Sequence, residues 1–185
     1  MSRRGPAGGD RSAAASPTDR DRVARALIVG CGCRGTRIGE RLRERGWEVR
    51  GTTRSEAETS RIEAAGLEAL VADPDRPGTV LDAVDDVAVV VWLLGSAEGE
   101  PEAVANVHGQ RLERLLEKLV DTPVRGFAYE AAGSVGEADL ERGAEIVQGA
   151  GARWRIPVAI MRAGPGESWD RWSEAAADEV AALLA

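Results

Sequence analysis

The sequence is poor in aromatic rings. They make up 4% of its 185 residues, with one tyrosine and one phenylalanine. A core must therefore come mainly from Val, Leu, Ile and Ala. Cysteine is scarce too: Cys31 and Cys33 form a lone C-x-C pair. One close pair makes no disulfide framework. A zinc site needs further ligands, and His108 is the only histidine. The pair reads as two small residues in a tight turn, and free thiols fit a cytoplasmic setting. Lysine occurs once, as Lys118, so almost all positive charge is arginine. No run approaches the roughly 20 apolar residues of a membrane span. Arg3 and Arg4 are followed by glycine and proline rather than an apolar stretch, which argues against a secretory signal. The formal net charge of -7 argues against a general nucleic-acid binder, which needs clustered cations for phosphates.

What remains is 43% hydrophobic and 30% charged, the profile of a globular chain. Residues 1–21 are rich in Gly, Ser, Pro, Ala, Arg and Asp and read as a disordered tail. Residues 22–185 suffice for a single domain. Within them, short apolar runs alternate with helical patterns. Strands are expected at 26–29, 48–52, 68–71, 87–94, 126–129 and 158–161. Helices are expected at 36–45, 56–65, 76–84, 101–120, 138–150 and 169–184. Strands separated by helices predict an α/β fold, a doubly wound, mostly parallel sheet of about six strands. Leu112, Leu115, Leu116 and Leu119 form an apolar face suited to the sheet or to a homodimer partner.

Gly30-Cys31-Gly32-Cys33-Arg34-Gly35 matches G-x-G-x-x-G. It follows an apolar strand and opens an amphipathic helix, the context in which the motif cradles a pyrophosphate. Gly30 permits the turn, Gly32 lets a phosphate approach the backbone, and Gly35 lets helix pack on strand. The helix N-terminus, with Cys33 and Arg34, offers N–H groups and a positive dipole end. This is the Rossmann unit that binds NAD or NADP. A methyltransferase binding S-adenosylmethionine also places glycines here.

The end of the second strand separates these ligands. NAD enzymes place Asp or Glu there to hold the ribose 2′-hydroxyl. This chain has Thr53-Arg54-Ser55. Arg54 suits a 2′-phosphate, with Thr53 and Ser55 as hydroxyl donors, and this favours NADP, with NAD the alternative. Asp73, after the third strand, either reaches the adenine amino group or caps the turn before Pro74. Gly95, after the fourth strand, is assigned to the cofactor side as well.

These segments resemble the atypical short-chain dehydrogenase/reductases, in particular their NAD(P)-dependent epimerase/dehydratase-like group. The likeness lies in Gly30 to Gly39, Arg50 to Ser55 and Val71-Ala72-Asp73. It continues in Phe127 to Val135 and in Val158 to Gly166. The resemblance implies a Rossmann domain binding a dinucleotide and an unidentified small-molecule substrate, with homodimers common.

The departures from the family pattern carry equal weight. The resemblance implies a Tyr-x-x-x-Lys pair on the helix after strand five. Here Tyr129 lies inside strand five and Lys118 precedes it, so the pair cannot form. Ser134 stands near the position of the family's catalytic hydroxyl, and Glu137 falls where the tyrosine belongs. Both are weak catalytic candidates. Arg34 occupies a position usually apolar in the family, and either reaches a phosphate or points to solvent. The residues after Gly166 suffice for one helix, on which Trp169 and Trp172 read as core or interface anchors. His108, on a long helix with no visible partner, reads as exposed. The expectation is a cofactor-binding protein with little or no hydride transfer. An active oxidoreductase or epimerase with a rewired site is the alternative.

Overall fold

In the computed structural model, residues 23–166 and 168–185 are described. The tail expected at 1–21 lies outside the described residues. Six strands form one wholly parallel sheet: β1 (Arg25–Val29), β2 (Glu48–Thr53), β3 (Glu68–Val71), β4 (Val89–Trp92), β5 (Gly126–Glu130) and β6 (Val158–Met161). Their spatial order is β3-β2-β1-β4-β5-β6. The chain leaves β1 toward β2 and β3, then returns to lay β4 on its other side. The crevice above the β1/β4 junction is where a doubly wound sheet opens to a ligand.

Side chains alternate across the strands, so each face of the sheet builds its own core. Leu27, Val29, Val90, Trp92, Phe127 and Tyr129 face one side. There they meet α3 (Pro77–Leu81), α5 (Gln110–Leu119) and α6 (Glu137–Trp154). Ala26, Ile28, Val89, Val91 and Ala128 face the other. There they meet α1 (Cys33–Glu44), α2 (Thr59–Ala64) and α7 (Trp169–Ala182). The Leu112, Leu115, Leu116 and Leu119 face of α5 is buried in the first of these cores. Trp172 is buried in the second, with its indole N–H on the Ala163 carbonyl.

One expected helix is interrupted. The pattern over 101–120 becomes α4 (Pro101–Val107) and α5, separated at His108-Gly109. Gly109 weakens the helix locally. His108 then turns inward and is fully buried, a correction to the expected exposed position. The apolar periodicity runs through the break because both pieces bury faces in the same core. The 56–65 helix likewise opens as a 3-10 turn over Glu56–Glu58 before α2. Among the described residues, no helix is long and apolar enough to cross a membrane.

Candidate functional site

The strand tips at the C-terminal edge of the sheet frame a cleft of about 720 Å³, within the range of small-molecule sites. Gly30 to Arg34 form one wall, Thr52 to Arg54 and Ala72 to Asp75 another, and the loop after β4 closes it.

The glycine turn is built as its spacing predicts. Gly30 has φ of +80°, a conformation favoured by glycine, and the Cys31 N–H ties the turn to the Thr52 carbonyl at 2.8 Å. A side chain at Gly32 would meet nothing within 4 Å, so its backbone faces open space. A Cβ at Gly35 would sit 3.0 Å from Ile28, which explains that glycine by packing rather than by ligand contact. The N-terminus of α1 has no side-chain cap and no acid in its first turn. No side chain of its own first turn therefore competes for the free N–H groups of that turn.

Thr53 and Arg54 line the cleft, and the Arg54 guanidinium donates to the Glu98 carbonyl at 3.2 Å. Arg61 joins them from α2, paired with Glu58 at 2.9 Å. Ser55 stands outside the lining. Asp73 does line the cleft, and its carboxylate accepts the Asp75 N–H at 3.0 Å, so it also shapes the turn through Pro74.

Arg34 does not point to solvent but lines the cleft. Its guanidinium crosses the cleft and pairs with Glu130 at the tip of β5. It also donates to Ser96 Oγ at 2.6 Å and stands 3.4 Å from the Ala132 carbonyl. Glu130 is 1% exposed, and its second oxygen accepts the Gly95 N–H at 2.9 Å. Burial pushes the Glu130 carboxyl above its ordinary range, while Arg34 and the Gly95 N–H pull the other way. Gly95 thus serves this carboxylate and lies outside the cleft lining.

The catalytic candidates are not brought to the cleft. Ser134 and Glu137 are exposed and neither lines it. The Ser134 N–H donates to Ser96 Oγ at 3.2 Å. Tyr129 is buried in the core and outside the cleft lining, bonded to His108, and Lys118 is exposed on α5. Sequence reasoning missed Glu130, Ser96, Arg61 and Trp169, all of which line the cleft. One signal was available for Glu130: an acid ending the apolar strand Phe127-Ala128-Tyr129, with an arginine in the glycine turn to neutralise it.

With this geometry, the likeness to solved structures is one of fold. The triphenylmethane reductase of Citrobacter sp. in complex with NADP(H) superposes with a TM-score of 0.62 at 14% identity, over 82% of this chain and 64% of that one. The UDP-glucuronic acid 4-epimerase of Bacillus cereus in complex with NAD gives 0.59 at 14%, over 80% and 60%. The UDP-glucose 4-epimerase of Thermotoga maritima gives 0.61 at 13%, over 75% and 54%. This chain has the fold of these epimerases and reductases. It spans little more than half to under two-thirds of their length. A curated sequence, ribose-5-phosphate isomerase A of Streptococcus uberis, is 26% identical over 148 residues, 77% of this chain and 55% of that protein. The chain therefore spans about half the length of the curated relative it matches. No family model matches.

Proposed function

We propose that this chain binds NADP, with NAD the weaker ligand, and has weak or no hydride-transfer activity. The observation that carries the reading is the uncapped N-terminus of α1 behind Gly32, where even an added Cβ would meet no atom within 4 Å. Arg54 after β2 and Arg61 of α2 both line the cleft and fit a 2′-phosphate, and Thr53 supplies a hydroxyl. When bound, the dinucleotide supplies hydride chemistry. Support for a chain that makes little use of it comes from Tyr129, the sole tyrosine, which is committed to His108 inside the core.

Thermal melts with NADPH, NADH and ribose 5-phosphate test the binding. A ligand that binds only the folded state adds ~2.7 kcal/mol at 100 times its Kd. NADPH should raise the Tm most, and Arg54→Ala should reduce the NADPH shift to that of NADH. An equal response of the unaltered protein to both dinucleotides refutes the role of Arg54. A response to ribose 5-phosphate alone refutes the dinucleotide reading. NADPH oxidation with a panel of carbonyl compounds and sugar nucleotides should give no turnover, and detectable turnover refutes the inactive reading.

A further inference from the structure

A doubly wound sheet offers two mononucleotide halves, one above β1-β2-β3 and one above β4-β5-β6. In this chain the two halves are unequal. The cleft is lined from the turn after β1, the tips of β2 and β3, Glu58 and Arg61 of the segment between them, the loop after β4, and α4, and from beyond β6 by Trp169. From β5 only Glu130 contributes, and from the loops at 131–136 and 162–166 nothing does.

Two independent features close the second half. One is backbone on backbone. A Cβ at Gly95 would lie 2.1 Å from the Ala132 carbonyl oxygen, and one at Gly133 would lie 1.9 Å from the Gly95 oxygen. The Val135 N–H bonds the same Gly95 oxygen at 3.0 Å. The loops after β4 and β5 therefore touch where a ligand would part them. The other is ionic: Arg34 spans from the glycine turn to Glu130 and Ser96, and Glu130 is anchored a second time by Gly95. Opening this bridge would leave a buried carboxylate without its cation, a costly state.

We propose that the Arg34–Glu130 bridge sets ligand choice, so that the cleft holds the phosphorylated adenosine-diphosphate half of the dinucleotide and excludes the nicotinamide half while the bridge is closed. The ligand class is a nucleoside 5′-diphosphate carrying a further phosphate on its ribose. The inference rests on the NADP reading of the same cleft. In it, Arg34 is a specificity-determining residue, since its side chain links the phosphate-binding turn to β5.

Calorimetric titration of the full chain with 2′-phospho-ADP-ribose and with NADPH tests this. For the unaltered protein the two Kd values should agree within threefold, because the nicotinamide half adds no contact. In Glu130→Gln, a near-isosteric change that removes the charge holding Arg34, NADPH should bind at least tenfold tighter relative to the fragment. Arg34→Leu removes the bridge from its other end and should move the ratio in the same direction. Melts of both variants check that they fold. A preference for NADPH above threefold in the unaltered protein, or a ratio that shifts less than tenfold in folded variants, overturns the proposal. Binding of the fragment with the expected ratios supports it. Failure of both ligands to bind overturns the cofactor reading, and this inference with it.

Discussion

His108 Nδ1 lies 2.7 Å from the hydroxyl of Tyr129, inside the core and outside the cleft lining. The His108 Nε2–H donates to the Leu94 carbonyl at 3.1 Å, so a neutral ring leaves Nδ1 as an acceptor, and the Tyr129 hydroxyl faces two acceptors, Nδ1 and the Leu140 carbonyl at 3.2 Å. Gly143 on α6 makes the room: a Cβ there would fall 2.0 Å from the tyrosine oxygen. The pair fastens the α4/α5 break to β4 and β5.

Burial lowers the His108 pKa from its ordinary value, with the Leu94 contact opposing. A lowered pKa means that the unfolded chain takes up a proton which the folded chain refuses. Stability from this group is therefore present above about pH 6.5 and is lost as pH falls through the lowered value. Glu130, with its raised pKa, acts in the opposite direction and must be cancelled by comparison. His108→Gln should cost about 1–3 kcal/mol at pH 7.5. The gap to the unaltered protein should narrow toward pH 5. Urea unfolding across that range measures it, and a gap that stays constant with pH contradicts the argument.

Two glycines of the same region should behave oppositely. Gly32→Ala meets no atom and has an ordinary φ of -80°. Its Tm should be unchanged within error, while the NADPH-induced shift disappears. At Gly51 a Cβ would lie 2.6 Å from Cys31 Sγ and 2.9 Å from its Cβ. Gly51→Ala should cost about 1–3 kcal/mol by overpacking. Melts with and without NADPH separate the two effects, and loss of stability in Gly32→Ala would count against an open phosphate site.

The cysteines should differ in reactivity. Cys31 is buried, and burial pushes its thiol up to about 12. Cys33 is exposed at the start of α1 and lines the cleft. Iodoacetamide at pH 8 should add one carbamidomethyl group to the folded chain, at Cys33, and two after denaturation. NADPH should slow the first addition. Mass spectrometry after proteolysis reads both sites, and native labelling of Cys31 contradicts the packing.

α1 and α7 are joined by a staggered ladder. Arg37 and Arg41 reach Asp170 at 3.0 and 3.3 Å, Arg41 reaches Glu174 at 3.4 Å, and Arg45 reaches Glu174 and Asp178 at 2.7 and 2.6 Å. The acids are largely exposed, so each pair is worth little in water. Arg45→Ala should cost under ~1 kcal/mol at low salt and less in 1 M NaCl, where the Debye length falls to ~3 Å. A salt-independent cost in chemical denaturation would assign the effect to the arginine stem rather than its charge.

The sequence by itself determined the alternation of six strands with helices and the glycine turn, while the order of the strands in the sheet came from the structure. The alternation and the turn rest on local signals: apolar runs of strand length separated by helical patterns, and glycines spaced as G-x-G-x-x-G, of which Gly30 needs its positive φ and Gly35 has little room for a Cβ. It also placed Arg54 at the tip of β2, because its position follows from the end of the strand. The break at His108-Gly109 was not legible, since leucine periodicity is the same for one long helix and two short ones over one core. The tertiary structure alone decided the partner of Arg34. The pairing joins residues 96 positions apart, and only the return of β5 past β4 brings Glu130 within reach of the glycine turn. The unequal halves of the cleft follow from that contact. A buried carboxylate finds its cation by topology, and no spacing along the chain announces it.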